Sequence, residues 1–230
     1  NQGDKGNTRS HFFTNTIMDL SLSNYTSSML EINYEKTSND NYLKLFNLDS
    51  PLLLESNDLL ESIIKLDLEH EDYDLTTSFK MYETLSGSSS DRYQYVFPSY
   101  SLTKNFNYDN LDGSFNFNSS GNNTLRDTNV STSIVSNDLN YTTYDTFFNN
   151  GIKTNFEVSL KNINTVGKNS TQYKNTLQSE LMSSYVYNAS IPLIKSTPKN
   201  INTFEPKLSF KVSPHEMKNN SAQERRVDIN

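Results

Sequence analysis

Ile152-Lys153-Thr154-Asn155-Phe156-Glu157-Val158-Ser159-Leu160-Lys161 alternates without a slip: every odd position is polar, and every even one except Thr154 is apolar. A period of two sends successive side chains to opposite faces of a pleated strand, whereas a helix would scatter the same apolar residues around its circumference. The pattern recurs in Leu30-Glu31-Ile32-Asn33-Tyr34-Glu35, in Ile64-Lys65-Leu66-Asp67-Leu68-Glu69 and, around a proline, in Phe204-Glu205-Pro206-Lys207-Leu208-Ser209-Phe210-Lys211-Val212. Carried along the chain it predicts ten strands, near residues 10–22, 27–37, 59–71, 73–84, 91–104, 111–119, 126–143, 152–163, 179–194 and 202–213. Most exceed the five or six residues usual in globular sheets. Twelve residues at about 3.3 Å each reach about 40 Å, enough to cross a hydrocarbon layer on a tilt.

Composition supports strands over helices. Ala, the best helix former, occurs only at Ala189 and Ala222, while Asn and Ser, which compete with the helical backbone for hydrogen bonds, make up more than a quarter of the 230 residues. Apolar residues are scarce at 33%, but 14 Tyr and 13 Phe make them aromatic-rich. The sequence contains no long apolar run of the kind a transmembrane helix needs. The absence of Cys excludes a disulfide scaffold, thiolate zinc sites and cysteine catalysis. A net charge of −7 argues against nucleic acid as a partner, since such binding needs a basic face. The chain opens at Asn1 and stops at Asn230 within a charged stretch, which reads as a piece of a longer protein.

The connections are expected to alternate in length. Short ones follow the first strand (Ser23-Asn24-Tyr25), the third (Glu71-Asp72) and the fifth (Asn105 to Asn110), with modest turns at Asp145–Gly151 and Ser196–Ile201. Longer polar ones span Ser38–Asp58, Leu85–Asp91, Ser120–Leu125 and Asn164–Gln178. In an up-and-down antiparallel meander these two sets fall at opposite ends of the sheet, as periplasmic turns and extracellular loops do in outer-membrane barrels. Low mean hydropathy is compatible with that reading, because only alternate strand residues meet lipid. A soluble β-sandwich shares the alternation, usually with shorter strands and more Pro/Gly-rich turns. A β-solenoid would carry a fixed repeat, and none is found.

Several segments, in order, resemble one family. Thr203-Phe204-Glu205-Pro206-Lys207 is similar to the Leu-Glu-Pro-Arg signature of the LPS-assembly outer-membrane protein (LptD, organic solvent tolerance) family. Ser38 to Asn47, with Tyr42 and Phe46, resembles its Tyr…Phe-Asn segment after an early barrel strand. Arg92-Tyr93-Gln94-Tyr95-Val96-Phe97-Pro98 resembles a barrel strand ending in aromatic-Pro, and Val212 to Asn219 a continuation seen in alphaproteobacterial members. Phe204 and Lys207 depart from the signature's Leu and Arg, and Lys lacks the planar fork for a bidentate contact. The resemblance spans roughly residues 10–220. It implies that residues 1–230 are an open, curved slice of a large transmembrane β-barrel in the outer membrane of a Gram-negative bacterium. It implies a non-catalytic role in carrying lipopolysaccharide (LPS) to the cell surface. The implied partners are LPS, outer-membrane lipids, a lipoprotein plug in the lumen and, through an N-terminal jelly roll outside this chain, a periplasmic LPS-bridge protein. The other reading left open is a different outer-membrane barrel, a porin-like channel or a surface adhesin.

Catalytic and metal motifs are weak. Glu69-His70-Glu71-Asp72 combines metal-ligating residue types, but tight turns favour the same residues. His215-Glu216 lacks the second His of a zinc-hydrolase helix, and Ser196-Thr197-Pro198-Lys199 has Ser-x-x-Lys spacing without companion motifs. The chain is therefore expected to be neither an enzyme nor a cofactor or metal protein. What remains is the polar parity. Glu31, Glu35, Lys65, Asp67, Glu69, Lys153, Glu157, Lys161 and Lys211 are expected to face a lumen, joined by Asn33, Lys80, Glu205 and Lys207.

Overall fold

The computed structural model describes residues 10–46, 48, 50–53, 58–86, 92–106 and 112–215. Its elements are β1 (His11–Asp19), β2 (Ser27–Thr37), a helical turn α1 (Tyr42–Leu45), β3 (Leu59–Glu69), β4 (Tyr73–Thr84), β5 (Tyr93–Phe106), β6 (Gly113–Arg126) and β7 (Ser131–Thr143). They continue as β8 (Thr146–Phe147), β9 (Lys153–Lys168), β10 (Gln178–Ser190), β11 (Leu193–Ser196), β12 (Ile201–Phe204) and β13 (Lys207–Val212). Ten strands form one sheet in the order β1-β2-β3-β4-β5-β6-β7-β9-β10-β13, and short β8 lies beside the start of β9. Every pairing in it is antiparallel. β1 and β13 each have a neighbour on one side only, so the sheet is open.

Two expected connections are corrected. Ser120–Leu125 is not a loop: it lies within β6, and the turn falls at 127–130, closed by Asn129 in the left-handed region. Asn164 to Lys168 belong to β9. The last hairpin turns at the expected Ser196–Ile201, but its ladder is interrupted once. β11 pairs β12 in a separate two-stranded ladder, yet Leu193↔Phe204 and Ser190↔Lys207 keep one register, with Ile191-Pro192 facing Glu205-Pro206 between them. Neither proline has an N–H to donate, and the ladder lapses at the expected position, Pro206. Loop lengths therefore do not separate the two ends of the sheet cleanly. Asn47, Asp91, most of the turn before Asn110 and the segment from Glu216 to Asn219 lie outside the described residues.

β5 carries one extra residue relative to both neighbours. Ser78↔Ser99 is followed by Lys80↔Val96 on one side, and Val96↔Thr124 by Ser99↔Asn122 on the other. The bulge contains Pro98, which could not donate to a ladder. It exchanges parity within the strand, so odd-numbered Tyr93, Tyr95 and Phe97 share a face with even-numbered Tyr100 and Leu102. The sequence is written for that exchange.

A sandwich would need a second sheet about 10 Å away. Among the described residues, only the β11–β12 hairpin and connecting segments lie outside the single sheet. The largest apolar cluster is small: Leu43 of α1 with Leu60 and Leu85, against Phe13, Tyr42, Leu48 and Leu53. It sits where the 38–58 connection meets the sheet rather than across a face.

Candidate functional site

The registers define two faces. On one, Leu30 pairs with Leu66 and Ile32 with Ile64, and on the far side of the sheet Val158 pairs with Tyr185 and Tyr185 with Val212. Leu30, Ile32, Tyr34, Ile64, Leu66, Leu68, Phe156, Val158, Leu160, Leu208, Phe210 and Val212 all share this face. It is left uncovered: Ile64 is 50% exposed, Phe79 52%, Phe210 66% and Leu208 72%. Contiguous apolar exposure on this scale marks a surface that meets protein or lipid.

The apolar residues form a diagonal band. At right angles to the strands, Leu30 leads partner by partner through Leu66, Thr77, Tyr100, Gly121, Val135 and Asn164 to Ser179. That row begins apolar and ends polar. In β2 the apolar cluster centres on Ile32, two residues to one side of the row. In β10 it centres on Tyr185 and Tyr187, six to eight residues to the other side. The total drift of eight to ten residues is about 30 Å, over seven strand steps of about 4.8 Å, or about 34 Å. The strands therefore lean about 40° from the normal to the band, matching the roughly 35–45° tilt of transmembrane barrel strands. Leu125, Val135, Val166 and Leu181 are apolar residues outside the band.

Every candidate polar residue in a strand falls on the opposite face, which is the more crowded one. Asn33, Glu35, Glu61, Ser78, Glu180 and Ser184 are buried there although polar. Charges are paired across it. Lys65 Nζ lies 2.7 Å from Asp67, whose other carboxylate oxygen accepts from Thr76 at 2.7 Å. Lys80 meets Glu61 at 3.0 Å, Lys161 meets Asp138 at 3.7 Å, and Glu157 accepts from the Asn188 amide at 2.8 Å. Asn15 donates to Glu31, and Asn33 donates to Glu35, which also accepts from the Glu61 backbone N–H at 2.8 Å. Glu69 ends β3 at the turn, and Lys211 is exposed on the edge strand β13. The residues are brought to one face but not to one point.

Around the proline pair the polar face forms a hollow of about 250 Å³ lined by Lys153, Asn155, Asn188, Ser190, Glu205 and Lys207. Ser190 donates to Glu205 at 3.0 Å, and Lys207 lies 3.5 Å from its second oxygen. Lys153 is 3.9 Å from Glu205 and 3.1 Å from Asp145, which also accepts from Asn155 at 2.9 Å. The Ser190 hydroxyl, then the two lysines, hold the Glu205 carboxyl below its ordinary range, and Asn155 and Lys153 do the same for Asp145. Phe204, by contrast, is 68% exposed at the end of β12.

A second charged cluster ties the 38–58 connection to the sheet. Arg92 spans both oxygens of Asp40, at 2.9 and 2.6 Å, and reaches Glu83 through Nε at 2.9 Å and Nη2 at 2.6 Å. Lys36 donates to Glu83 at 2.7 Å and the Tyr93 hydroxyl donates to it at 3.0 Å. Beside this clasp, Tyr42 packs on Phe46 and His11. Tyr42 and Phe46 thus anchor the connection, and the sequence pattern did not pick out Lys36, Asp40 or Glu83. His70 stacks on Tyr73 and its Nδ1 accepts from the Asp72 N–H, a turn arrangement. Among the described residues no group of three or more His, Asp or Glu is placed to hold a metal. No protein-family model matches this chain, and no curated protein matches it.

Proposed function

We propose that this chain is a segment of the wall of a large outer-membrane β-barrel, with the apolar face toward lipid and the polar face toward a hydrated lumen, and that the barrel delivers LPS to the cell surface. The diagonal band carries the reading of the wall. A soluble sheet has no reason to set its apolar residues about 40° across its strands, whereas a tilted transmembrane strand must. The order of the short motifs and the wet, neutralised polar face support the assembly role, in which the lumen passes sugar and the lipid part takes an apolar route. A lipoprotein plug, the periplasmic LPS bridge and outer-membrane lipids are the partners under this reading, with no catalytic step.

The chain contains no Trp, so single tryptophans report depth without background. In vesicles containing lipids brominated at defined acyl positions, Phe79→Trp and Tyr185→Trp are expected to be quenched at the same depth. Asn164→Trp, which lies on the Leu30 row, is expected to be much shallower. Equal depth along the row instead of along the band would overturn the wall. For the assembly role, depletion of the full-length protein is expected to strip new LPS from the cell surface while unrelated porins still assemble. Unchanged surface LPS would leave a channel or adhesin.

A further inference from the structure

The connection from β9 to β10, residues 169–177, does not run on past the end of the sheet but turns back over its polar face. Gly167 fixes the direction. It follows Ile163 and Thr165 on the polar parity of β9. A Cβ on it would lie 2.8 Å from that of Ser170, 2.9 Å from that of Tyr173 and 3.0 Å from the Tyr173 carbonyl oxygen. Only the bare backbone of glycine admits that approach. Three ties hold the connection in place. The Gly167 N–H donates to the Lys174 carbonyl at 2.8 Å. Asn169, in the left-handed region, donates through Nδ2 to the Asn129 carbonyl of the neighbouring turn at 3.0 Å. Ser170 Oγ accepts from the N–H groups of Gln172 and Tyr173, at 3.1 and 3.3 Å. Ile163 and Thr165, on the same face of β9, are only 8% and 3% exposed. Farther across, Asn169 to Tyr173 line a hollow of about 400 Å³ together with Gln94 of β5, Thr124 of β6 and Thr132 of β7. At about 4.8 Å per strand, the overhang from β9 to β5 is about 14 Å.

We propose that residues 169–177 are a strap folded into the lumen, where they narrow the mouth opposite the proline pair. The proposal rests on the barrel-wall reading, because only a wall gives the polar face a lumen to narrow. Two features set the strap apart from a loop that projects into bulk solvent. A projecting loop would leave Thr165 open and would accept a side chain at residue 167, and neither holds here. The ties to the β9 backbone and to the β6–β7 turn also fix the strap to the wall that it covers. Asn169-Ser170-Thr171-Gln172-Tyr173 carries no charge, so the strap restricts passage by its bulk.

The chain contains no Cys, so single cysteines report access without background. The Thr165 hydroxyl makes no hydrogen bond among the described residues, and Thr165→Cys therefore removes none. A charged, membrane-impermeant maleimide is the probe, with the chain in vesicles. Thr165→Cys is expected to react slowly, and roughly tenfold faster or more once residues 170–173 are deleted, because the intact strap keeps the local opening rare. Gly167→Val, which pushes the strap off the wall, is expected to act in the same direction. It serves if circular dichroism shows that the deletion has cost strands. Equal rates in the intact and altered chains overturn the strap. Asn140→Cys, on the same polar face but away from the strap, is expected to react readily in every background. Its failure to react is a different result, and overturns the wall reading itself. In planar bilayers, the full-length barrel without residues 170–173 is expected to conduct more than the intact barrel. Unchanged conductance overturns the narrowing even where Thr165→Cys gains access.

Discussion

At the scale of single residues, the sharpest dependence falls on Arg92. Its guanidinium serves two carboxylates, and Glu83 is nearly inaccessible, at 2% side-chain exposure. The hydrogen bonds it donates to Asp40 and Glu83 hold its proton more tightly than in an ordinary arginine. Arg92→Ala leaves Glu83 with Lys36 and Tyr93 and takes the guanidinium fork from Asp40. The expected loss is about 3 kcal/mol, the lower end for breaking a largely buried pair, with increased hydrogen exchange at Leu43. Arg92→Lys keeps the charge without the fork, so the exchange at Leu43 should rise although the loss in stability is smaller. A second dependence concerns pH. Glu205 and Asp145 have carboxyls lowered by their partners, so the stabilisation they supply is complete above their ordinary values and fades as pH falls through the lowered ones. The Ser190 and Lys207 amide resonances are expected to hold steady from pH 7 to 5 and to shift together only once the pH has fallen below the ordinary carboxylate range. Movement between pH 7 and 5 would contradict the assignment.

At the scale of elements, strand existence was readable because a half-buried strand must alternate. Leu30 to Glu35 and Ile64 to Glu69 are legible for that reason. The boundary of β6 was hidden by its own chemistry: Ser119-Ser120-Gly121-Asn122-Asn123-Thr124 has the composition of a loop and is held as a strand by pairing on both sides. Gly121 shows what that costs. A Cβ there would sit 2.6 Å from the Tyr100 ring, which lies over the bare backbone of its cross-strand partner. Gly121→Val is therefore expected to displace Tyr100, break its contact with Ser119 and cost about 1–3 kcal/mol by urea unfolding. Gly121→Val with Tyr100→Ser should recover part of that loss. The clasp was illegible for another reason: Lys36, Asp40, Glu83 and Arg92 meet only after β2, β4 and β5 have paired, and no local spacing joins them.

At the scale of the whole molecule, neither face is covered by a second sheet among the described residues, and the two faces place opposite demands on substitution. Ile64 is half exposed, and in a water-soluble sheet Ile64→Arg would be nearly neutral. In a barrel wall near mid-depth the same change is expected to cost roughly 2–4 kcal/mol, read as lower heat stability and poorer assembly of the full-length barrel. Ser101→Arg on the polar face should be tolerated in both measurements. The open edges of β1 and β13 fit a sheet continued by other strands, and in isolation they invite pairing between copies. A strand can be thought of as text read in a frame of two, and the extra residue at Pro98 is a frameshift built into the middle of the sheet. Loss of that one residue would leave Tyr93, Tyr95 and Phe97 spelling out the polar face, or else force every strand on one side to be re-read in the opposite sense. Deleting two residues preserves the frame and only shortens the line, so short indels should be accepted in pairs and rejected singly.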